Sequence, residues 1–173
     1  MMAAVLLIAI SARVSVPVPG SEVPQSLQTL AVVLVGAQLG ARDGGFAAAL
    51  YLALGAVGLP VFADGAGGFA HLLGPTAGYL VGFVLAAVLV GWGVGTARGG
   101  FLRAFLLMAA AHLLILGLGS LRLSLQIGAP EALRTGVFPF LWGGVVKSAV
   151  GAAVWWGRGR WRPESIPRPG PHG

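Results

Sequence analysis

Charged residues cut the chain into long uncharged stretches: residues 1–12, 23–41, 44–63, 65–97, 104–121, 135–146 and 148–157 carry none. Such runs are too long and too continuously apolar for half-buried strands, whereas about 20 apolar residues cross a bilayer as a helix. The run 65–97 exceeds one span, so it holds a loop as well as a helix. Pro60 and the glycines at 65, 67, 68 and 74 place that loop, because such residues interrupt regular structure. The pattern predicts six helices, over 1–16, 26–41, 44–59, 75–96, 101–121 and 135–157. A transmembrane barrel would show short alternating segments instead. The start, MMAAVLLIAISARVSV, has no basic residue ahead of its apolar run and reads as the first span, not a cleavable leader.

Composition narrows the class further. Charged residues make up 9% of the 173-residue chain and mean hydropathy is +0.88, against roughly a quarter charged in soluble domains. Soluble enzymes and disordered proteins are excluded, and with no cysteine so are disulfide scaffolds and thiolate metal sites. What remains is an all-α integral membrane protein: one six-helix transmembrane domain at 1–157 and a basic, Pro-rich tail at 158–173, expected to be disordered. The net charge of +6 does not indicate nucleic acid, since Arg158, Arg160, Arg162 and Arg168 crowd the end of the chain, beside an apolar span.

Three connections, 17–25, 60–74 and 122–134, fall on one side of the bundle; tight turns around Arg42 and Arg98–Gly100, and the tail, fall on the other. The tail side holds seven basic residues, Arg42, Arg98, Arg103, Arg158, Arg160, Arg162 and Arg168, against Arg13, Arg122 and Arg134 opposite, which are offset by Glu22, Asp64 and Glu131. That bias places both termini in the cytoplasm and the longer loops outside, as suits a cavity that opens outward under a lid. Glycines recur every four residues at 36/40/44, 74/78/82 and 91/95/99, making smooth helix faces for close packing within the bundle.

Among residues that carry chemistry, Lys147 stands out. It lies a third to half of the way along the last helix, where a charge costs at least about 2.5 kcal/mol to insert. No Asp or Glu lies inside any span to pair with it, which favours ligand contact over a structural ion pair; Asp64, in the loop above, is the one acidic residue placed to fold inward. Gln28 and Thr29 open the second helix beside Ser26, and helix capping and ligand contact suit them equally. Tyr51, mid-helix, is placed to stack on or hydrogen-bond to a ligand, and Tyr79 is either a belt residue or part of a cavity mouth. The tryptophans read as interface anchors, with Trp142 the exception because it precedes Lys147 by five positions. His71 reads as a polar loop residue and His112 as a buried one hydrogen-bonded between helices; neither has a second ligand at metal-binding spacing. No GxSxG, HExxH, paired intramembrane carboxylates or Walker A loop occurs, so enzymatic chemistry and ATP hydrolysis find no support.

The segments GLPVFADGAGGFAHLLGPTAGYLVGF (58–83) and VPQSLQTLAVVLVGAQLG (23–40) resemble the signature stretches of the BioY family, the biotin-specific S components of energy-coupling factor (ECF) transporters. The resemblance runs from about residue 14 to 157. It implies an S-component fold with biotin bound from outside beneath the first, third and fifth loops, no cofactor, and a place in a bacterial cytoplasmic membrane beside an EcfT-type scaffold and two ABC-type ATPases. Biotin's ureido ring, thioether ring and carboxylate then call on Lys147, Gln28, Tyr51, Tyr79 and Trp142, with loop glycines such as Gly68 letting backbone N–H groups approach. Phe62, Gly74 and Thr76 shape the lid. This chain departs from the family at Gly144, where the usual PGDxxK has its aspartate, and Asp64 is a candidate substitute from the loop above. The family's small-residue docking face on the first helix has only Ala9 and Ala12 to represent it here. Two alternatives remain: an S component for another vitamin, or a structural membrane partner that has lost its ligand.

Overall fold

The computed structural model describes residues 1–21, 23–95 and 100–160. Helix α1 covers Met2–Ser11, α2 Gln28–Ala56, α3 Ala77–Gly95, α4 Phe101–Ile127, α5 Ala129–Gly136 and α6 Phe138–Arg160. Each of α1 to α4 packs on the next, α4 packs on α6, and α6 returns to α2, so the bundle closes on itself. Among the described residues, three helices are long and apolar enough to cross a membrane: Ala77–Val94, Phe101–Ile127 and Phe138–Arg158. Their outward faces carry Val81, Leu85, Trp92, Leu102, Leu106 and Leu113, all well exposed. Such surfaces are stable against lipid and not against water. The result is an all-α integral membrane protein.

Helix α2 is a hairpin. Gly40 sits at φ 82, ψ 176, a conformation that a side chain would resist, and the chain folds back there into limbs 28–39 and 41–56. A Cβ on Gly44 would lie 2.8 Å from Gly36 Cα, an approach possible only between antiparallel limbs. The second and third expected helices are thus present, but the helix resumes immediately after Gly40, without a polar turn at Arg42. The glycine series serve the packing expected of them. Gly36 meets the Ala87 backbone, Gly91 meets Gly40 and Ala41, and Gly78 and Gly82 meet Leu118 and Ile115; Gly99 lies outside the described residues.

Other boundaries moved. The first helix stops at Ser11, not 16, and its 10 residues reach about 15 Å, half a hydrocarbon core. Beyond it a two-stranded antiparallel ribbon, absent from the all-helical expectation, pairs β1 (Ser15–Val16) with β2 (Gln25–Ser26). The expected loop 122–134 is largely helical: α4 continues to Ile127 and α5 follows at once. Arg122 and Ser124 do not break a helix, whereas Gly128, at φ 85, does. The last helix continues through Arg160, beyond the expected boundary at 157; residues 161–173 of the tail, like Glu22 and Arg98, lie outside the described residues.

The loop-covered cavity

All three of the longer connections meet at one end of the bundle, where the segment between α2 and α3 lies across the helix ends in two 3₁₀ turns, Ala63–Gly65 and Phe69–Leu73. Two arginines hold it. Arg13 Nη2 donates to Pro60 O at 2.6 Å, and Arg122 Nη2 donates to Leu73 O, so both ends of the loop are tied down through backbone carbonyls. Asp64 adopts φ 56, a left-handed conformation that Asp tolerates better than most residues, and its Oδ1 accepts a 2.7 Å bond from Ser15 Oγ. Phe62 is fully buried. It meets Tyr51 edge-on at 5.6 Å and stacks on His71 at 5.0 Å. Gly55 leaves the space that the Phe62 ring fills. Burial holds His71 below the usual histidine range, and its Nε2 lies 3.1 Å from Thr76 Oγ1.

Beneath this roof is a cavity of about 220 Å³, many times the space one water needs. Ser26 lines it from β2, Gln28 and Thr29 from the start of α2, Phe62, Asp64, His71 and Thr76 from the segment between α2 and α3, and Tyr79 and Phe83 from α3. His112 and Ile115 face it from α4, and Phe140, Gly144 and Lys147 from α6. Eight of the residues singled out in the sequence therefore share one cavity: Gln28, Thr29, Phe62, Asp64, Thr76, Tyr79, Gly144 and Lys147.

Lys147 is the polar centre of this wall. Its Nζ donates to Ser26 O at 2.5 Å and to Thr29 Oγ1 at 3.3 Å, which fastens α6 to the start of α2. An ammonium has three N–H donors, so one remains. No carboxylate answers it: among the described residues the one ion pair is Arg134–Glu131, on the exposed surface of α5, and Asp64 shares the cavity without pairing to the lysine. Around Lys147 runs a polar relay. Ser26 Oγ donates to Gln28 Oε1 at 3.0 Å, Gln28 Nε2 donates to Tyr51 Oη at 2.5 Å, and Tyr51 Oη donates to Val61 O at 3.0 Å. Tyr51 stands behind the cavity wall, supporting Gln28, and is not itself among the lining residues. The Tyr79 hydroxyl is likewise engaged, donating to Gly136 O at 2.8 Å. No side chain caps α2, whose N-cap is Leu27; Ser26 Oγ accepts from Gln28 N at 3.3 Å in the turn that leads into the helix.

Three expected site residues lie elsewhere. Trp142 is 77% exposed, because two residues from Gly144 is about 200° around the helix, so it faces away from the cavity. Gly68 donates its backbone N–H to Gly55 O at 2.7 Å and serves to anchor the loop; Gly74 caps the second 3₁₀ turn. The docking pair is also displaced: Ala12 is wholly buried within the chain and Ala9 packs against the core, while Leu6, Leu7 and Ile10 form the exposed face of α1. His112 was expected to be buried and bonded between helices. It does lie near Met108 O and Ser148 Oγ, at 2.8 and 3.0 Å, but it also lines the cavity. Its being polar within the uncharged run 104–121 was the one available signal.

A lipid-embedded helical bundle whose loops roof a cavity of mixed polar and apolar lining belongs to the class of membrane proteins built around a small-molecule site. More particularly, the chain belongs to the BioY family, whose profile matches residues 1–163. It is 39% identical over 144 residues to "Biotin transporter BioY2" of Lactococcus lactis subsp. cremoris (strain MG1363), an alignment covering 82% of this chain and 78% of the relative. It is 36% identical over 149 residues to "Biotin transporter BioY" of Thermotoga maritima, covering 86% of each. Among solved structures it superposes on the S-component for biotin from an ECF-type ABC transporter with a TM-score of 0.82 at 25% identity, over 92% of this chain and 88% of that one.

Proposed function

We propose that this protein is the biotin-binding S component of an ECF-type vitamin transporter, a capture subunit with no catalytic role. The observation that carries the reading is Lys147: an ammonium in the bundle wall, held by one backbone carbonyl and one hydroxyl, with a donor left over and a loop-covered cavity in front of it. Biotin supplies what such a cavity can use, a urea carbonyl and carboxylate for the cation and a thioether ring and alkyl chain for Phe62, Phe83, Ile115 and Phe140. Gln28, Thr29, Thr76 and Tyr79 complete the polar lining, and Asp64 lines the same cavity from the loop. Desolvation beneath the closed loop strengthens each polar contact.

In this reading the loop end faces outward, both termini lie in the cytoplasm, and the protein resides in the bacterial inner membrane. An EcfT-type scaffold and two ABC-type ATPases supply the energy, since the chain has no Walker A sequence. The Gly144 position favours one competitor, a different vitamin of similar size. Mass spectrometry of ligand extracted from the detergent-purified protein, with calorimetric titration of biotin, separates the two. Retained biotin and tight binding are expected; another retained vitamin, or no binding of biotin, would overturn the assignment.

A further inference from the structure

Most polar side chains lining the cavity already have partners. Gln28 and Tyr79 are committed to Tyr51 and Gly136, Thr76 to His71, and one oxygen of Asp64 to Ser15. The exception is His112. It is 5% exposed, and its Nε2 is the one buried side-chain nitrogen or oxygen without a hydrogen-bond partner among the described residues. An unpaired buried polar atom costs about 1–3 kcal/mol, and native structures rarely keep one without a use.

The neighbours of the ring fix which nitrogen holds the proton. Nδ1 lies 2.8 Å from Met108 O. A carbonyl only accepts, so Nδ1 carries the hydrogen. Ser148 Oγ, 3.0 Å from the same nitrogen, donates its own proton to Gly144 O at 2.7 Å and cannot reverse that assignment. In the uncharged imidazole Nε2 is then a bare acceptor. The ring's Cδ2 edge lies beside Gly144, where a Cβ would be 3.9 Å from it, and both residues line the cavity. Lys147, one helical turn beyond Gly144, presents donors only.

We propose that His112 is a specificity-determining residue whose Nε2 accepts a hydrogen bond from an N–H group of the bound ligand. The one cavity then offers both a donor and an acceptor, Lys147 for a carbonyl oxygen and His112 for an N–H, the pair of groups a cyclic urea or amide presents. The choice of a urea rests on the biotin reading above; the need for an N–H donor comes from the imidazole itself.

Two substitutions separate ligand contact from a structural role. His112→Asn keeps a polar group where Nδ1 bonds Met108 and Ser148 but removes the one at Nε2; His112→Gln keeps a polar group at the Nε2 position and gives up the Nδ1 contacts. Biotin affinity is measured by calorimetry on the purified full-length protein and both variants, with ligand-free thermal midpoints alongside. The expected result is an affinity about tenfold weaker for His112→Asn, as for one lost hydrogen bond, with His112→Gln within about threefold of the parent. An unchanged His112→Asn, or a His112→Gln weakened by more than threefold, overturns the proposal, and the second criterion stands even if the Asn variant does not fold. A parent protein that binds no biotin overturns the transport reading and this proposal with it, whereas biotin binding with the variants in the opposite order overturns only the role of His112.

Discussion

Replacing Lys147 by methionine keeps the length and apolar stem of the side chain and removes the ammonium. Two of its N–H groups are held by Ser26 O at 2.5 Å and Thr29 Oγ1 at 3.3 Å, leaving one for a ligand in the cavity. A hydrogen bond from a charged donor contributes about 1.5–3 kcal/mol, so losing it weakens binding by roughly 10- to 150-fold. The ligand-free protein responds differently. A cation at this depth costs about 2.5–3.5 kcal/mol to insert, and removing it offsets the loss of two bonds whose acceptors face a cavity where water can replace the ammonium. Lys147→Met is therefore expected to weaken biotin binding at least tenfold while the ligand-free thermal midpoint stays within a few degrees of the parent. Calorimetry and fluorescence-monitored unfolding in detergent read the two quantities. A dissociation constant within twofold of the parent would refute the reasoning. So would a weakened affinity accompanied by a large fall in the ligand-free midpoint, which would make the lysine a strut between α6 and α2.

Other perturbations test the scaffold around it. Tyr51→Phe strands Gln28 Nε2 and Val61 O, and thermal unfolding is expected to show a loss of about 1–3 kcal/mol, with weaker binding following from a loosened roof. Gly36→Val should abolish folded protein in size-exclusion profiles because its Cβ would penetrate the Ala87 backbone, whereas Gly117→Ala, with open space around that position, should be neutral or slightly stabilising. Acidification tests His71, whose pKa in the folded loop lies below the ordinary value of 6.5. The unfolded loop therefore binds the proton more readily, and loop stability should fall as pH drops below about 6.5 towards the lowered folded value. Ligand-free midpoints compared at pH 7.5 and 5.5 should show that decline in the parent and a smaller one in His71→Asn.

Much of this protein is written in its one-dimensional pattern. Membrane residence follows from runs of uncharged residues that nothing but lipid or a closed core can cover, and the loop between α2 and α3 falls where proline and glycine interrupt such a run, whereas the expected third connection, 122–134, proved largely helical. Lys147 is conspicuous for the same reason: a charge inside such a run must be compensated by something. The loop between α2 and α3 is legible through its motif, which resembles a known family, and not through periodicity. Facing, however, is a property of three dimensions. Trp142 and Gly144 are two residues apart and face opposite ways, and only the packing of α6 against α2 and α4 decides which of them meets the cavity. The hairpin at Gly40 brings Gln28 to Tyr51. The loop held by Arg13 and Arg122 carries Phe62 and Asp64 over the helix ends, contacts between residues more than forty positions apart that no local spacing encodes. His112 illustrates both halves. Its polarity in an apolar run marks it from the sequence, but which nitrogen is free, and that it borders the cavity, is set by where Met108, Gly144 and Ser148 come to rest around its ring. Local chemistry determined what the chain dissolves in and which side chains need partners; the closing of the helices on one another decided who those partners are.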